Sequence, residues 1–139
     1  MKTVLVSCVG KKTATATMAS DLYRSTWFLL AKKYCLAHRY RWFILSARYG
    51  LLDINTVIEP YNLTLKDCNK RYQQAWSQRV FFDIKEKITI DTTLVIFAGV
   101  RYRRFLYPSL LRYGYDVEIP MQGLGIGKQL QWLKTYTSP

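Results

Sequence analysis

The hydrophobic positions of this chain alternate between short β-branched runs and longer stretches with helical spacing. Short apolar runs at 3–7, 42–46 and 93–98 are typical of buried strands, and residues 115–119 are predicted to form a fourth strand. Between these runs, apolar residues recur every three or four positions, which predicts amphipathic helices. The first predicted helix spans 20–38 and has its N-cap at Ser20-Asp21, and the second is capped by Asp67. The third begins at Arg101 and restarts at Pro108. The last helix contains Ile126, Leu130 and Leu133.

The resulting order βαβαβαβα predicts an α/β fold. Strands that are separated by helices are joined by right-handed crossovers and lie parallel in one sheet. We therefore expect a single three-layer α/β domain over residues 1–139, with a mostly parallel four-stranded sheet and helices on both faces. Residues 50–66 are expected to form a long connection with a short extended piece at Val57-Ile58.

Four segments leave the carboxyl ends of the predicted strands, where ligands bind in such sheets. The segments are 7–12, 46–50, 98–102 and 120–127, and each combines small residues with a polar or basic side chain. We expect the four to converge on one site. The expected substrate-binding residues are Ser7, Cys8, Lys11, Ser46, Arg48, Tyr49, Tyr61, Gly99, Tyr102, Gln122, Gly123 and Gly125.

Charge changes this picture more than any other bulk property. The chain has 21 Lys and Arg against nine Asp and Glu, a net charge of +12. Such a surplus favours a polyanionic partner, because phosphate contacts release condensed counterions. Basic residues also alternate with tyrosines, whose rings can stack on bases. The predicted nucleic-acid-binding residues are Lys12, Arg101, Arg103 and Arg104. A surface that is basic for solubility alone is the alternative.

Two further motifs invite a chemical interpretation. The glycines at 123–127 can present backbone N–H groups and a helix N-terminus to a phosphate, or can simply turn a strand into a helix. Cys8 follows the first strand, but the single histidine, His38, lies at the end of a predicted helix, which indicates a site-lining thiol and not a Cys–His nucleophile.

Scattered cysteines and a single histidine predict neither a metal site nor a cofactor. Free thiols of this kind are typical of the cytoplasm. The apolar runs are far shorter than the ~20 residues that span a bilayer, so we expect a cytoplasmic protein without a membrane partner.

Carboxylates are scarce, and Asp53 and Glu59 lie in the long connection beside basic and aromatic residues. A carboxylate at the mouth of a basic pocket can orient a water or stabilise an oxocarbenium ion, so both are candidate catalytic residues. The alternative is a local role, with Asp53 capping a turn and Glu59 neutralising an arginine.

Motifs along the whole chain also resemble known families. They are "SCVGKK" at 7–12, "ILSARYGLL" at 44–52, "IEPY" at 58–61, "AGVRY" at 98–102 and "GLGIGKQLQWL" at 123–133. Together they are similar to a family of short, uncharacterised bacterial and phage domains. The segment from 42 to 65 also resembles the YaaA family of peroxide-stress proteins. This chain departs from the usual first motif by inserting Val9 between Cys8 and Gly10.

The resemblance to YaaA implies DNA binding, and the α/β pattern is similar to that of the uracil-DNA glycosylase superfamily by fold analogy. That analogy implies hydrolysis of the N-glycosidic bond of a modified or damaged base. Asp53 or Glu59 would then act on the water or the cation. Tyr49, Tyr61 and Tyr102 would stack on an extruded base whose edge Gln122 reads.

Two hypotheses therefore stand, a DNA glycosylase-like hydrolase and a noncatalytic DNA-binding or nucleotide-sensing module. A soluble nucleoside or nucleotide hydrolase is a third, but it leaves the +12 charge unexplained. The expected partner is nucleic acid, DNA ahead of RNA. The target base and the oligomeric state stay open.

Overall fold

A computed structural model describes residues 1–7 and 12–138 of the chain. The predicted contacts of Cys8 and Lys11 lie outside the described residues. Within these residues, no helix is both long and apolar enough to cross a membrane.

Seven strands lie in the described part of the chain and form two sheets. They are β1 (Lys2–Ser7), β2 (Thr17–Met18), β3 (Arg41–Ser46), β4 (Gly50–Asp53), β5 (Val57–Ile58), β6 (Thr93–Phe97) and β7 (Asp116–Glu118). The main sheet has five strands in the order β4-β3-β1-β6-β7, and β2 and β5 form a separate two-stranded sheet. The strands β3, β1, β6 and β7 are parallel, whereas β4 is antiparallel to β3.

The α/β class is confirmed, but the expectation of a four-stranded sheet misses β4. This strand lies in the segment that was expected to be a connection. Residues 47–49 close a hairpin after β3, and Gly50, at φ +74°, adopts a left-handed conformation that favours glycine. A Cβ at Gly50 would also lie 3.0 Å from the guanidinium of Arg79. The sheet is therefore mixed and has an antiparallel edge strand.

Six α-helices and one 3-10 turn complete the described structure. They are α1 (Ala19–Leu22), α2 (Thr26–His38), the 3-10 turn Leu65–Asp67, α3 (Lys70–Lys87), α4 (Val100–Arg103), α5 (Leu106–Tyr113) and α6 (Ile126–Tyr136). The predicted helix at 20–38 is thus two helices. The Ser25 side chain caps the second of them by accepting the Phe28 N–H at 3.2 Å.

The predicted cap of the next helix also differs. Asn69, and not Asp67, caps α3 by accepting the Tyr72 N–H at 2.8 Å. Asp67 instead ends the 3-10 turn and accepts the Thr64 hydroxyl. The helical stretch does restart, since α4 ends at Arg103 and α5 begins at Leu106, two residues before Pro108. Pro108 lies in the first turn, where its missing N–H leaves no intrahelical bond unmade.

Helices pack on both faces of the main sheet, as predicted. Alternate residues of β1 point to opposite sides, so Val4 and Val6 pack with α1, α2 and α6, whereas Leu5 packs with α3, α4 and α5. Each face therefore has its own hydrophobic core, and the central strands are buried on both sides.

Burial in the first of these cores raises the pKa of the Cys35 thiol from about 9 to about 12. Between these values the unfolded chain loses the thiol proton while the folded chain retains it, so stability falls as the pH rises. Thermal unfolding from pH 8 to 11 should therefore give a steeper fall in Tm for the wild type than for Cys35→Ala. Tyr34, whose pKa burial also raises to about 12, is present in both proteins. Parallel curves would contradict this prediction.

The topology selects one part of the sheet for ligand binding. The crossover from β1 leads to β3 on one side, whereas β6 pairs with β1 on the other side. Connections therefore leave the carboxyl ends of β1 and β6 in opposite directions, which opens a crevice between them. The loops after these two strands define the candidate site.

Candidate functional site

Two adjoining pockets lie over the carboxyl ends of the parallel strands. The inner pocket, about 440 Å³, lies between the turns that follow β6 and β7. The outer pocket, about 490 Å³, extends from the end of β1 to the 3-10 turn. Both are lined by Trp27, Gly99, Val100 and Gln129, so they form one concavity, which we call the carboxyl cleft.

A buried indole and an amide form the wall that the two pockets share. Trp27, which is 7% exposed, donates its Nε1–H to Oε1 of Gln129 at 2.9 Å. Nε2 of Gln129 donates to the carbonyl of Leu124 at 2.8 Å. Neither residue was predicted as a site residue from the sequence, since Trp27 belongs to the apolar stripe of its helix. The sequence did contain one signal for Gln129, which is its position in the first turn of the helix after the glycine-rich turn.

Glycines leave the backbone of the cleft uncovered. Gly99 precedes α4 and Gly125 precedes α6, and a Cβ at either position would meet nothing within 4 Å. Gly123 has φ +82°, so its turn requires glycine. No side chain of the described residues caps the N-terminus of α6, whose first N–H groups have no partner within the helix itself. Gly99, Gly123 and Gly125 therefore lie together at the cleft, as predicted from their position after the strands.

Cations line both pockets. Lys66 and Arg101 line the outer pocket. Arg103 lines the inner pocket, with its Nε donating to the Ala98 carbonyl at 3.1 Å. Arg104 does not line either pocket, because it donates to Oε1 of Gln73 at 2.9 Å. Among the residues described, Asp67 is the one acidic residue on the lining, and it faces a basic majority.

Several predicted residues line the cleft in a different way from that expected. Ser7 lines the outer pocket and is buried. Tyr102 lines it too, but it is only 5% exposed, and its ring packs edge-on against Trp76 at 5.5 Å. Tyr102 is therefore part of the wall and does not offer a free face for stacking. Gln122 is exposed at the inner pocket.

A cluster of hydroxyl groups lies beside the cleft, at the end of β3. Ser46 Oγ donates to Tyr61 Oη at 2.8 Å, and Tyr61 and Tyr23 share a hydroxyl–hydroxyl bond of 2.8 Å. Nζ of Lys12 lies 4.7 Å from the centre of the Tyr61 ring. Ser46 directly follows Leu45, which pairs with Ser7 in the sheet, so this hydroxyl cluster and the cleft occupy the same edge.

Tyr49 and Arg48 extend this hydroxyl cluster towards solvent. The Tyr49 ring packs edge-on against Tyr61 at 5.5 Å, and the exposed Arg48 guanidinium lies 5.5 Å from the Tyr49 ring. The structure thus brings Ser46, Arg48, Tyr49 and Tyr61 together, as predicted.

The two predicted catalytic carboxylates are far from equivalent. Asp53 pairs with Phe43 at the amino side of the sheet, because β4 runs antiparallel and carries its end away from the cleft. Its carboxylate lies 3.1 Å from Nζ of Lys87. Glu59 is exposed, and its backbone carbonyl accepts the Tyr49 hydroxyl at 3.4 Å. The structure therefore leaves Glu59 near the predicted site and places Asp53 away from it.

Among the described residues, the remaining candidates for chemistry are the Cys68 thiol and any cluster of metal-ligating side chains. Partial burial, and next the charge of Asp67, raise the pKa of Cys68, whose Sγ donates to the Thr64 carbonyl at 3.3 Å. That thiol therefore stays protonated at neutral pH. No group of three or more His, Cys, Asp or Glu residues within 1–7 and 12–138 is arranged to hold a metal ion.

Comparison with known proteins adds a family and no activity. The family DUF6884, described as a family of unknown function, matches residues 3–135. The match covers the five-stranded sheet except for Lys2, and it includes all the residues that line the carboxyl cleft. No curated protein matches the sequence.

Proposed function

We propose that this chain, which belongs to the DUF6884 family, binds nucleic acid by taking a nucleotide of the strand into the carboxyl cleft. The observation that carries the proposal is the composition of this one concavity. Its exposed glycine backbone and its cations can bind a phosphate group. Its apolar wall and its fixed amide can bind a base. The resemblance of the sequence to DNA-binding YaaA proteins favours DNA over RNA.

The distribution of charge over the molecule supports this proposal. Basic side chains outnumber acidic ones after the carboxyl ends of the strands, whereas at the opposite edge Lys2 and Lys87 are paired with carboxylates. The basic set is Lys12, Arg48, Lys66, Arg101 and Arg103, and the acidic set at the amino edge is Asp53, Asp91 and Asp116. A molecule with this polarity attracts a polyanion to the edge that carries the cleft.

The shape of the cleft favours a single strand or an extruded nucleotide. Each pocket falls within the range of about 300–1,000 Å³ that is typical of small-ligand sites. A base inside a duplex is stacked and paired, so it can enter such a concavity only after extrusion, which costs a few kcal/mol. Binding to single strands avoids that cost.

The test is fluorescence anisotropy of labelled single-stranded DNA, duplex DNA and RNA over a salt series. We expect single-stranded DNA to bind most tightly and the logarithm of its association constant to fall linearly with the logarithm of salt concentration. Absence of binding to all three at ~50 mM salt, where electrostatic contacts are strong, would overturn the proposal.

Hydrolysis of an N-glycosidic bond is the second candidate, and the position of Asp67 favours it. This carboxylate lies on the wall of the outer pocket, where it can accept a proton from a water that attacks C1′ while the base leaves with the bonding electrons. Glu59 is the second carboxylate at this edge.

If this candidate is right, Asp67→Asn should lower the release of a damaged base by about 100-fold or more. The amide still offers an oxygen to the Thr64 hydroxyl, so the local turn should persist. Asp53→Asn is the matched control and should keep full turnover. Mass spectrometry of a panel of modified-base oligonucleotides provides the measurement. Equal release from the wild type and Asp67→Asn would exclude this role for Asp67.

A further inference from the structure

The orientation of the Gln129 amide is determined by two hydrogen-bond partners, one of which can only donate and the other only accept. An indole N–H can only donate, so the atom that faces Trp27 is the amide oxygen. A backbone carbonyl can only accept, so the atom that faces Leu124 is the amide nitrogen. The side chain therefore has one orientation and is held in it from both sides.

These two bonds use half of the hydrogen-bonding capacity of the amide. A side-chain amide has two N–H donors and an oxygen with two lone pairs. Trp27 takes one lone pair and Leu124 takes one donor. Within residues 1–7 and 12–138, one N–H and one lone pair of this amide have no hydrogen-bond partner, and Gln129 lines both pockets of the cleft.

Gln73 provides a comparison within the same chain. It is 2% exposed, and its two N–H groups donate to the carbonyls of Leu65 and Cys68 at 2.9 and 3.0 Å. Its oxygen accepts from Arg104. The donors of Gln73 are thus used up inside the protein, as a structural glutamine requires, whereas Gln129 keeps a donor and an acceptor at the cleft.

We propose that Gln129 is the residue that reads the base, through the free N–H and the free lone pair of its fixed amide. The proposal rests on the proposed function, since it assumes that a nucleotide occupies the cleft. The complementary ligand has an acceptor beside a donor, which is the arrangement on the pairing edge of an unmodified nucleobase, such as O4 and N3–H of thymine. Gln129 thus takes the role predicted from the sequence for Gln122, which is exposed at the inner pocket.

The test compares two single-stranded oligonucleotides, oligo-dT and the same oligomer with every thymine methylated at N3. Methylation removes the donor of the pairing edge and keeps the phosphates and the ring. The wild type should bind the methylated oligomer about tenfold more weakly, the usual cost of one unpaired hydrogen-bonding group. Gln129→Met should bind both oligomers equally, within about twofold. Gln131→Met, the same change at an exposed position of α6, should discriminate as the wild type does.

The outcomes separate this inference from the function on which it rests. Binding of oligo-dT without discrimination by the wild type, or discrimination that survives in Gln129→Met, overturns the role of Gln129 and leaves the nucleic-acid site standing. Failure of the wild type to bind either oligomer overturns both. If circular dichroism shows that Gln129→Met does not fold, the same binding test is made with Gln129→Glu. Its carboxylate still accepts from Trp27 and can still accept N3–H, so it should keep the discrimination. It has no N–H for O4, however, and should bind oligo-dT more weakly than Gln131→Glu, which adds the same charge at an exposed position. Equal binding of oligo-dT by these two variants would overturn the role of Gln129.

Discussion

Replacing Phe97 by alanine should lower the free energy of unfolding by about 3–5 kcal/mol, the usual cost of deleting a buried aromatic ring. Phe97 is the last residue of β6 and is 1% exposed. Its ring packs edge-on against Tyr34 at 5.2 Å and Trp132 at 5.8 Å, which links the sheet to α2 and α6. Since domains of this kind are stable by only about 5–15 kcal/mol, urea denaturation should show a large shift of the midpoint.

The matched control is Phe82→Ala on α3. Phe82 is 57% exposed, so the same deletion there should change the free energy of unfolding by less than about 0.5 kcal/mol. The comparison tests the position of the core directly. Equal losses in the two variants would mean that the packing of α2 and α6 on the sheet is not as described.

The strands β1, β3 and β6 could be predicted because each contains a continuous apolar run, whereas β7 lies in a segment with apolar residues at alternate positions, Tyr115, Val117 and Ile119. The antiparallel strand β4 could not, because its pattern is too short. Leu51 packs in one core and Leu52 in the other, so the strand shows an apolar pair without alternation. Only the pairing with β3, a tertiary contact, identifies these residues as a strand.

Helix starts were harder to place because several capping residues compete. Ser20 and Ser25 are both good N-caps, as are Asp67 and Asn69. The structure uses Ser25 and Asn69. Burial of Leu65 in the core fixes the 3-10 turn ahead of α3 and so places Asp67 before the helix, an effect that no local pattern contains.

The candidate site was predictable in its backbone and less so in its side chains. Glycines that follow strands mark the turns, because turn geometry is local. The pairing of Trp27 with Gln129 joins residues that are distant in the sequence, so spacing alone could not reveal it. The position of Asp53 was missed for the same reason that β4 was missed, since an antiparallel strand carries its last residue to the opposite edge.

The second large effect concerns the cations of the outer pocket. Lys66→Ala combined with Arg101→Ala removes two charges that line it. If each contacts one phosphate of a single strand, the slope of the logarithm of affinity against the logarithm of salt should become shallower by about 1.4. The same relation gives a loss of affinity for oligo-dT of about 25-fold at ~0.1 M salt. Anisotropy titrations at several salt concentrations measure both quantities.

Lys2→Ala combined with Lys87→Ala is the control for net charge. These lysines lie at the amino edge, 3.1 Å from Glu118 and 3.1 Å from Asp53, respectively. Each double variant lowers the net charge from +12 by two, to +10, so any effect of total charge is the same in both. If phosphates bind at the cleft, only the first pair should change the salt dependence, since exposed charges more than about 10 Å apart are screened at ~0.1 M salt. Equal losses of affinity in the two variants would indicate attraction to the whole surface and would argue against a localised phosphate site.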